Sequence, residues 1–180
     1  PKPQSYLEAI DAEIETANRI ISNLMEIVRA KEAVKESVDF GATARQVFEK
    51  LQNRADIDCR IDCQPEPFTV HADPTQLRQV LGNLMSNAAE AMGATGEILV
   101  EARRAGGFDL LTIRDSGPGI PPEIRQTLFE PLVSTRLKGT GLGLAICRQI
   151  IERHGGTIDL LPSDVGAAFQ IRLPHSPQPV

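Results

Sequence analysis

Strand-period and helix-period segments alternate along most of this sequence, which predicts a domain of the α/β class with a long heptad helix in front of it. Three observations carry that reading. Leu7, Ile10, Ile14, Ala17, Ile21, Leu24 and Val28 are spaced 3-4-3-4-3-4, an a/d seam. Short runs alternating apolar and polar residues interleave with helical stretches from residue 37 to residue 173. Two glycine clusters, Asp115-Ser-Gly-Pro-Gly-Ile120 and Gly139-Thr-Gly-Leu-Gly-Leu144, lie close together, and the second runs into a helical pattern. A glycine-rich turn feeding a helix N-terminus is an anion site, because unpaired N–H groups and the helix dipole point at the ligand.

The elements follow in order. Ile20, Met25 and Ile27 broaden the heptad stripe, which suits a helical bundle. The rest of the chain offers no second heptad pattern, so the partner helix is expected on another chain or upstream. The alternative, a helix folded back on the following domain, fits less well, since the period is nearer to about 3.5 than to 3.6 residues. Residues 31–35 read as a polar linker and 37–40 as a short strand. Residues 42–51 are helical, with Ala44, Val47, Phe48 and Leu51 on one face. Residues 57–63 and 68–70 read as strands. Asp73-Pro74-Thr75-Gln76 is a helix start, with Asp73 as N-cap and Pro74 at the first helical position.

In the helix that follows, Leu77, Val80, Leu81, Leu84, Ala88 and Met92 form one apolar stripe, while Asn83, Asn87 and Glu90 share another flank. Mid-helix Asn costs propensity, so Asn83 and Asn87 read better as ligands than as surface filler. Gly93 and Gly96 are expected to end this helix. Residues 97–102 and 108–114 form a hairpin about Gly106-Gly107, and the second strand delivers Asp115. Residues 121–128 read as a short helix opened by prolines, and 142–154 as another closed by Gly155-Gly156. Residues 157–161 and 167–173 make a last hairpin, and 175–180 are expected to be a disordered tail.

Composition narrows the classes. With 180 residues, 41% hydrophobic and 24% charged, the chain has a globular balance. A net charge of −5 argues against a nucleic-acid binder. No apolar run reaches spanning length and no signal peptide opens the chain, so no membrane contact is expected. Cys59, Cys63 and Cys147 lack the spacing of a disulfide framework or a zinc site and read as packing residues of a reducing compartment.

Four stretches now stand in order: Asn83-Leu-Met-Ser-Asn87, Asp115-Ser-Gly-Pro-Gly119, Leu128-Phe-Glu-Pro131 and Gly139-Thr-Gly-Leu-Gly143. They resemble the N, G1, F and G2 boxes of sensor histidine kinases, within the ATPase superfamily shared with gyrase, MutL and heat-shock chaperones. Asn87-Ala-Ala-Glu-Ala-Met92 is most similar to the nitrogen- and oxygen-sensor group. The resemblance implies a two-layer α/β sandwich, a mixed sheet with helices on one face. Residues 1–35 would be the second helix of the dimerisation and histidine-phosphotransfer hairpin, 36–174 the catalytic ATP-binding domain and 175–180 a tail.

The resemblance also implies the site. ATP or ADP would bind with Mg²⁺ between the helices and a mobile lid. Asp115 would accept the adenine amine, with Gly117, Gly119 and Ile120 beside the base. Asn87 would coordinate Mg²⁺, and Asn83 stands where gyrase-type relatives carry a catalytic Glu. Gly139, Thr140, Gly141, Leu142 and Gly143 would cradle phosphates, Arg136 and Lys138 would offset their charge, and Phe129 would anchor the lid. Glu90 stands where many such kinases have a basic residue. A cytoplasmic location, a homodimer through the heptad helix and a response-regulator receiver partner would follow. The phosphoacceptor histidine is missing from the heptad helix: His71 is expected in a loop, His154 at a helix end and His175 in the tail. The chain therefore reads as a piece beginning between the two hairpin helices. The competing readings are a nucleotide-sensing or docking module without phosphotransfer, and an ATP-driven clamp of the gyrase or MutL kind.

Overall fold

The computed structural model describes residues 33–51, 56–134 and 139–175. The heptad seam at Leu7 to Val28, and with it the expected dimer face, lies outside the described residues. Strand β1 (Glu36–Asp39) pairs antiparallel with β3 (Thr69–Ala72) in a small ribbon. The main sheet has the order β2-β4-β5-β7-β6, with β2 (Asp56–Gln64), β4 (Thr95–Ala105), β5 (Phe108–Asp115), β6 (Thr157–Leu161) and β7 (Ala168–Pro174). Only the β2–β4 pair is parallel, so the sheet is mixed, as expected.

Three helices, α1 (Phe40–Glu49), α2 (Pro74–Met92) and α3 (Gly143–Arg153), cover one face, with α2 packed against both others. The period of β5 shows why the helices sit there. Asp109, Leu111 and Ile113 are buried on the helix side, and Ile98, Val100 and Ala102 of β4 face the same way with no exposure. The outer face carries charge instead. Arg103 bonds Asp62 at 2.7 Å and Arg114 reaches Glu101 at 3.4 Å. These pairs are a third exposed, and such pairs add only about 0.2–1 kcal/mol each, so they mark a solvated face more than they hold it. Cross-strand charge outside and a mainly apolar inner face, where the buried Asp109 carboxylate is paired with Arg104 at 2.8 Å, make a one-sided sheet.

The start of α2 forms as read. Asp73 Oδ1 accepts from Thr75 N at 2.9 Å and Gln76 N at 3.0 Å. The reciprocal half of a capping box is not made, and Gln76 Oε1 is buried without a partner. Asp39 likewise caps α1 through Ala42 N at 2.9 Å.

Five expectations need correction. Residues 121–128 are not an α-helix but a 3-10 turn, Pro122–Ile124, followed by further tight turns. Thr127 N bonds Ile124 O and Glu130 N bonds Thr127 O, while Arg125 Nε donates to Ile120 O at 3.0 Å. So short a segment gains little from a helical nucleus, and burying Leu128 fixes its path instead. Gly96 belongs to β4, since Gly93 alone caps α2. Phe40 opens α1 rather than closing β1. His71 lies on β3, not in a loop. His175 is held rather than loose: its N donates to Gly107 O at 2.9 Å and its ring meets buried Asp109 at 3.2 Å.

The cysteines are free thiols, and burial pushes Cys59 and Cys63 up to about 11 and Cys147 up to about 12, as packing residues should be. None of the helices among the described residues is long and apolar enough to cross a membrane.

Candidate functional site

The row that builds the core also builds the site. Asp115 follows Leu111 and Ile113 at period 2, so the last inward position of β5 is a carboxylate beneath the helix layer. Its Oδ1 accepts from Gly117 N at 2.9 Å and from Ala167 N at 3.2 Å, and its own N donates to Ala167 O at 3.0 Å. The β6–β7 loop thus closes onto the end of β5. Gly166 makes this possible: its φ is +65°, and a Cβ there would overlap the Asp115 carbonyl.

A cavity of about 440 Å³ opens between α2, the start of α3 and the segment joining β5 to α3. That is an ordinary size for a small-molecule site. One wall is polar: Asn83, Ser86, Asn87 and Glu90 from α2, with Asp115 at the sheet end. The other is apolar, from Ile120, Ile124, Leu128, Val133, Leu144, Ala167 and Phe169. Asn83 Nδ2 donates to Gly143 O at 3.3 Å, which ties the middle of α2 to the N-terminus of α3. Cys147 Sγ against Val80 O at 3.8 Å makes the same join one layer deeper.

The start of α3 has no side-chain cap hydrogen bond at its N-cap, Leu142. The four first-turn N–H groups of a helix have no partner within it, so this end suits an anion. Gly141 brings the Leu132–Val133 backbone close. Its φ is +66°, its O accepts from Leu132 N at 3.0 Å, and a Cβ there would stand 2.5 Å from the Leu132 carbonyl carbon. Leu132 itself has φ 68° with 71% of its surface exposed, an uncommon backbone for a branched side chain.

Of the predicted site residues, Asn83, Asn87, Asp115, Gly119, Ile120, Gly139, Thr140, Gly141 and Gly143 line this one cavity. Gly117 stands behind Asp115 instead of lining it. Leu142 is fully buried in the core and can offer the cavity only backbone. Phe129 backs the wall, edge-on to Phe169 with ring centroids 6.2 Å apart. Arg136 and Lys138 lie outside the described residues. Sequence reasoning missed Ser86, Gly166, Ala167 and Phe169. Only the inward period of β7 pointed to Phe169, and the link from Gly166 to Asp115 spans 51 positions of chain.

The opposite end of the α2–α3 pair has its own junction. His154 Nδ1–H donates to Ile150 O at 2.8 Å, and Nε2 accepts from Asp73 N at 3.0 Å. Burial holds the His154 pKa below its ordinary value, so the ring is the neutral Nδ1–H tautomer those bonds require. Lys35 Nζ donates to His154 O at 3.2 Å and Val34 N to Asp73 Oδ2 at 3.1 Å. Burial works against the Asp73 charge, but backbone donors from Gln76, Val34 and Thr75 outweigh it and lower the pKa.

Known proteins are similar to this chain in sequence and fold. Residues 72–177 match the family model of the histidine kinase-, DNA gyrase B- and HSP90-like ATPases. The sensor histidine kinase ZraS of Klebsiella oxytoca is 39% identical over 172 residues, which cover 92% of this chain and 37% of ZraS. Thus the chain spans little more than a third of that relative's length. Full-length ShkA in complex with AMPPNP superposes with a TM-score of 0.81 at 28% identity, covering 95% of this chain and 38% of ShkA. Histidine kinase ThkA in complex with the response regulator TrrA gives 0.81 at 29% identity, covering 98% of this chain and 53% of that one. On the match to the family model and the likeness to these relatives, the chain belongs to the histidine kinase-, DNA gyrase B- and HSP90-like ATPase family, as a catalytic ATPase domain of the sensor histidine kinase kind.

Proposed function

We propose that this chain binds Mg·ATP and serves as the phosphoryl-donor half of a protein-histidine kinase. The single observation that carries the reading is the meeting of Asp115, the Asn83–Asn87 flank and the Gly139–Gly143 turn in one cavity. Asp115 accepts the adenine exocyclic amine, because an ionised carboxylate is acceptor-only. Gly119 and Ile120 lie along the base, with Gly117 holding the Asp115 carboxylate. The phosphates lie against the backbone of Gly139, Thr140, Gly141, Leu142 and Gly143 at the start of α3. Arg136 and Lys138 offset their charge, and Phe129 anchors the covering segment through Phe169.

The donor set also fits a magnesium ion. Asn87 places an amide side chain in the cavity, and Mg²⁺ takes hard oxygen ligands, usually few from protein and the rest from phosphate and water. Such an ion, when bound, neutralises charge on the transferring phosphoryl group. Asn83, which contacts Gly143, is an amide and cannot take a proton from water, so rapid hydrolysis is not expected. A histidine acceptor needs no such base, being largely neutral above a pKa of about 6.5.

The acceptor histidine comes from a helix paired with the heptad segment Leu7 to Val28, in a dimeric bundle, and a response-regulator receiver takes the phosphoryl group on. Support comes from the chain's own histidines, none of which lines the cavity. His71 is on β3, His154 is buried between two helices and His175 is paired with Asp109. Phosphoryl transfer depends on positioning, which none of the three offers.

The test is labelling from ATP. The 180 residues alone should take up no phosphate. With a histidine-bearing helix that completes the bundle, an acid-labile, alkali-stable label should appear on that helix, and Asn87→Ala should abolish it. Self-labelling at His71, His154 or His175 would overturn the assignment. Nucleotide binding without labelling of the completed bundle would make the chain a nucleotide-sensing module.

A further inference from the structure

The cavity has an internal direction, set by two contacts at its ends. At one end Asn83 touches Gly143 at the start of α3. At the other, Gly117 leaves no room for a side chain: a Cβ there would stand 2.9 Å from Asp115 Oδ1, 3.2 Å from Met92 Cγ and 3.7 Å from Ala91 Cβ, which places the end of α2 beside the Asp115 carboxylate. Along the polar flank of α2 the order is therefore Asn83 at the anion end, Asn87 in the middle, then Glu90, one position before Ala91 at the Asp115 end.

Glu90 is an odd residue to find there. It lies in the last turn of α2, where the helix dipole disfavours a carboxylate. It lines a cavity whose glycine end suits an anion, so it also repels what that end attracts. Its Oε1 accepts from Ser86 Oγ at 3.0 Å, one turn back, and Ser86 lines the same wall. The carboxylate is thus oriented by a second cavity residue at a position that costs helix stability.

We propose that Glu90, held by Ser86, reads the ribose hydroxyls of the bound nucleotide and makes the site prefer ribonucleotides to deoxyribonucleotides. The inference rests on the nucleotide reading above. In a nucleotide laid with its base at Asp115 and its phosphates at Gly143, the sugar falls between, beside Glu90. A carboxylate there accepts from neutral hydroxyls, and an acidic side chain is how dinucleotide-binding folds read a ribose diol. A phosphate at the same place would be repelled. Glu90 is a specificity-determining residue in this account, and Ser86 a positioning residue.

The test is calorimetric binding of ATP, 2′-deoxy-ATP and 3′-deoxy-ATP, with and without Mg²⁺, to the wild type, Glu90→Ala and Ser86→Ala. The wild type should favour ATP over at least one deoxy form by about tenfold, the weak end of the range for a charge-assisted hydrogen bond because Glu90 is exposed. In Glu90→Ala the ratio should fall to near one, whatever happens to affinity for ATP itself. Ser86→Ala should give an intermediate ratio. Alanine's helix propensity and the removal of a carboxylate from the last turn offset the lost bond to Ser86, so Glu90→Ala should melt close to the wild type, which keeps the ratio interpretable. Equal wild-type affinity for all three nucleotides overturns the proposal, as does a ratio that survives Glu90→Ala. An equal loss for all three nucleotides, seen only with Mg²⁺ present, also overturns it by moving Glu90 to the metal. Failure of every nucleotide to bind the wild type refutes the nucleotide reading, and the ribose proposal with it.

Discussion

Asp115→Asn separates the two duties of one side chain. In the structure Oδ1 holds the loop by accepting from Gly117 N at 2.9 Å and Ala167 N at 3.2 Å. An Asn keeps an oxygen at Oδ1, so both bonds survive and the β6–β7 loop stays closed. What changes is the other atom: an acceptor with a share of negative charge becomes an NH₂ donor. If that atom receives the adenine amine, donor now meets donor. The loss is one charge-assisted hydrogen bond, about 2–3 kcal/mol. That is roughly a 30- to 150-fold weaker Kd for ATP by calorimetry. Thermal stability should hardly move. Asp115→Ala is the contrast, because it also strips the loop. Ala167 is buried and its N–H would be orphaned, so a further loss of about 1–3 kcal/mol of fold stability is expected. Wild-type ATP affinity in the Asn variant would refute the adenine contact. An Asn variant that melts as low as the Ala variant would refute the division of labour between the two oxygens.

Three other outcomes follow from the same geometry. Gly141→Ala should lower stability by about 2 kcal/mol or more, through a disfavoured φ and a clash with Leu132, and scanning calorimetry should show Tm falling by roughly 5–10 °C. His154 is held neutral, with a folded pKa below the 6.5 of the free side chain, so the unfolded chain binds its proton first. Stability contributed by His154 is therefore full above pH 6.5 and is lost as pH falls below it towards the folded pKa; denaturant titrations of His154→Gln should lack this slope, and a slope equal to the wild type's would assign it elsewhere. Saturating nucleotide should slow amide exchange at Leu132 and at residues 139–141, and unchanged rates there would remove the covering role of this segment.

Much of this was legible because local signals and core period agreed. The inward row Leu111, Ile113, Asp115 is written in period 2, and the carboxylate needs only that row to be placed at the top of the core. The Asp73-Pro74 start, the Gly106-Gly107 turn and the Gly155 stop work over a few residues, where sequence and structure are the same information. Failures came where distant chain decided. The 121–128 stretch has the prolines of a helix start, but Leu128 must reach the core and Arg125 must reach Ile120 O, and tight turns satisfy both. Gly166 looks like any hairpin glycine until its contact with the Asp115 backbone is seen. His154 could be placed at a helix end, yet neither of its ring partners shows in the local pattern: one is a carbonyl in its own helix and the other the backbone N–H of Asp73, 81 positions away.

The same distance explains why α2 and α3 act as one body. They meet at Asn83–Gly143 where the cavity opens, and at Asp73–His154 where the chain enters from residues 33–35. Between these points lie Val80, Leu84, Ile146, Cys147, Ile150 and Ile151, all buried. A close-packed seam of this kind transmits displacement instead of absorbing it. An 11-residue α3 is about 16 Å long at ~1.5 Å per residue, so the Val34 and Lys35 anchors sit one rigid helix away from the glycine turn. The Asn83–Gly143 and Cys147–Val80 bonds on the cavity side, the Val34–Asp73, Lys35–His154 and Asp73–His154 bonds at the entry, and the apolar seam between them join the entry of the domain to its cavity without crossing the sheet.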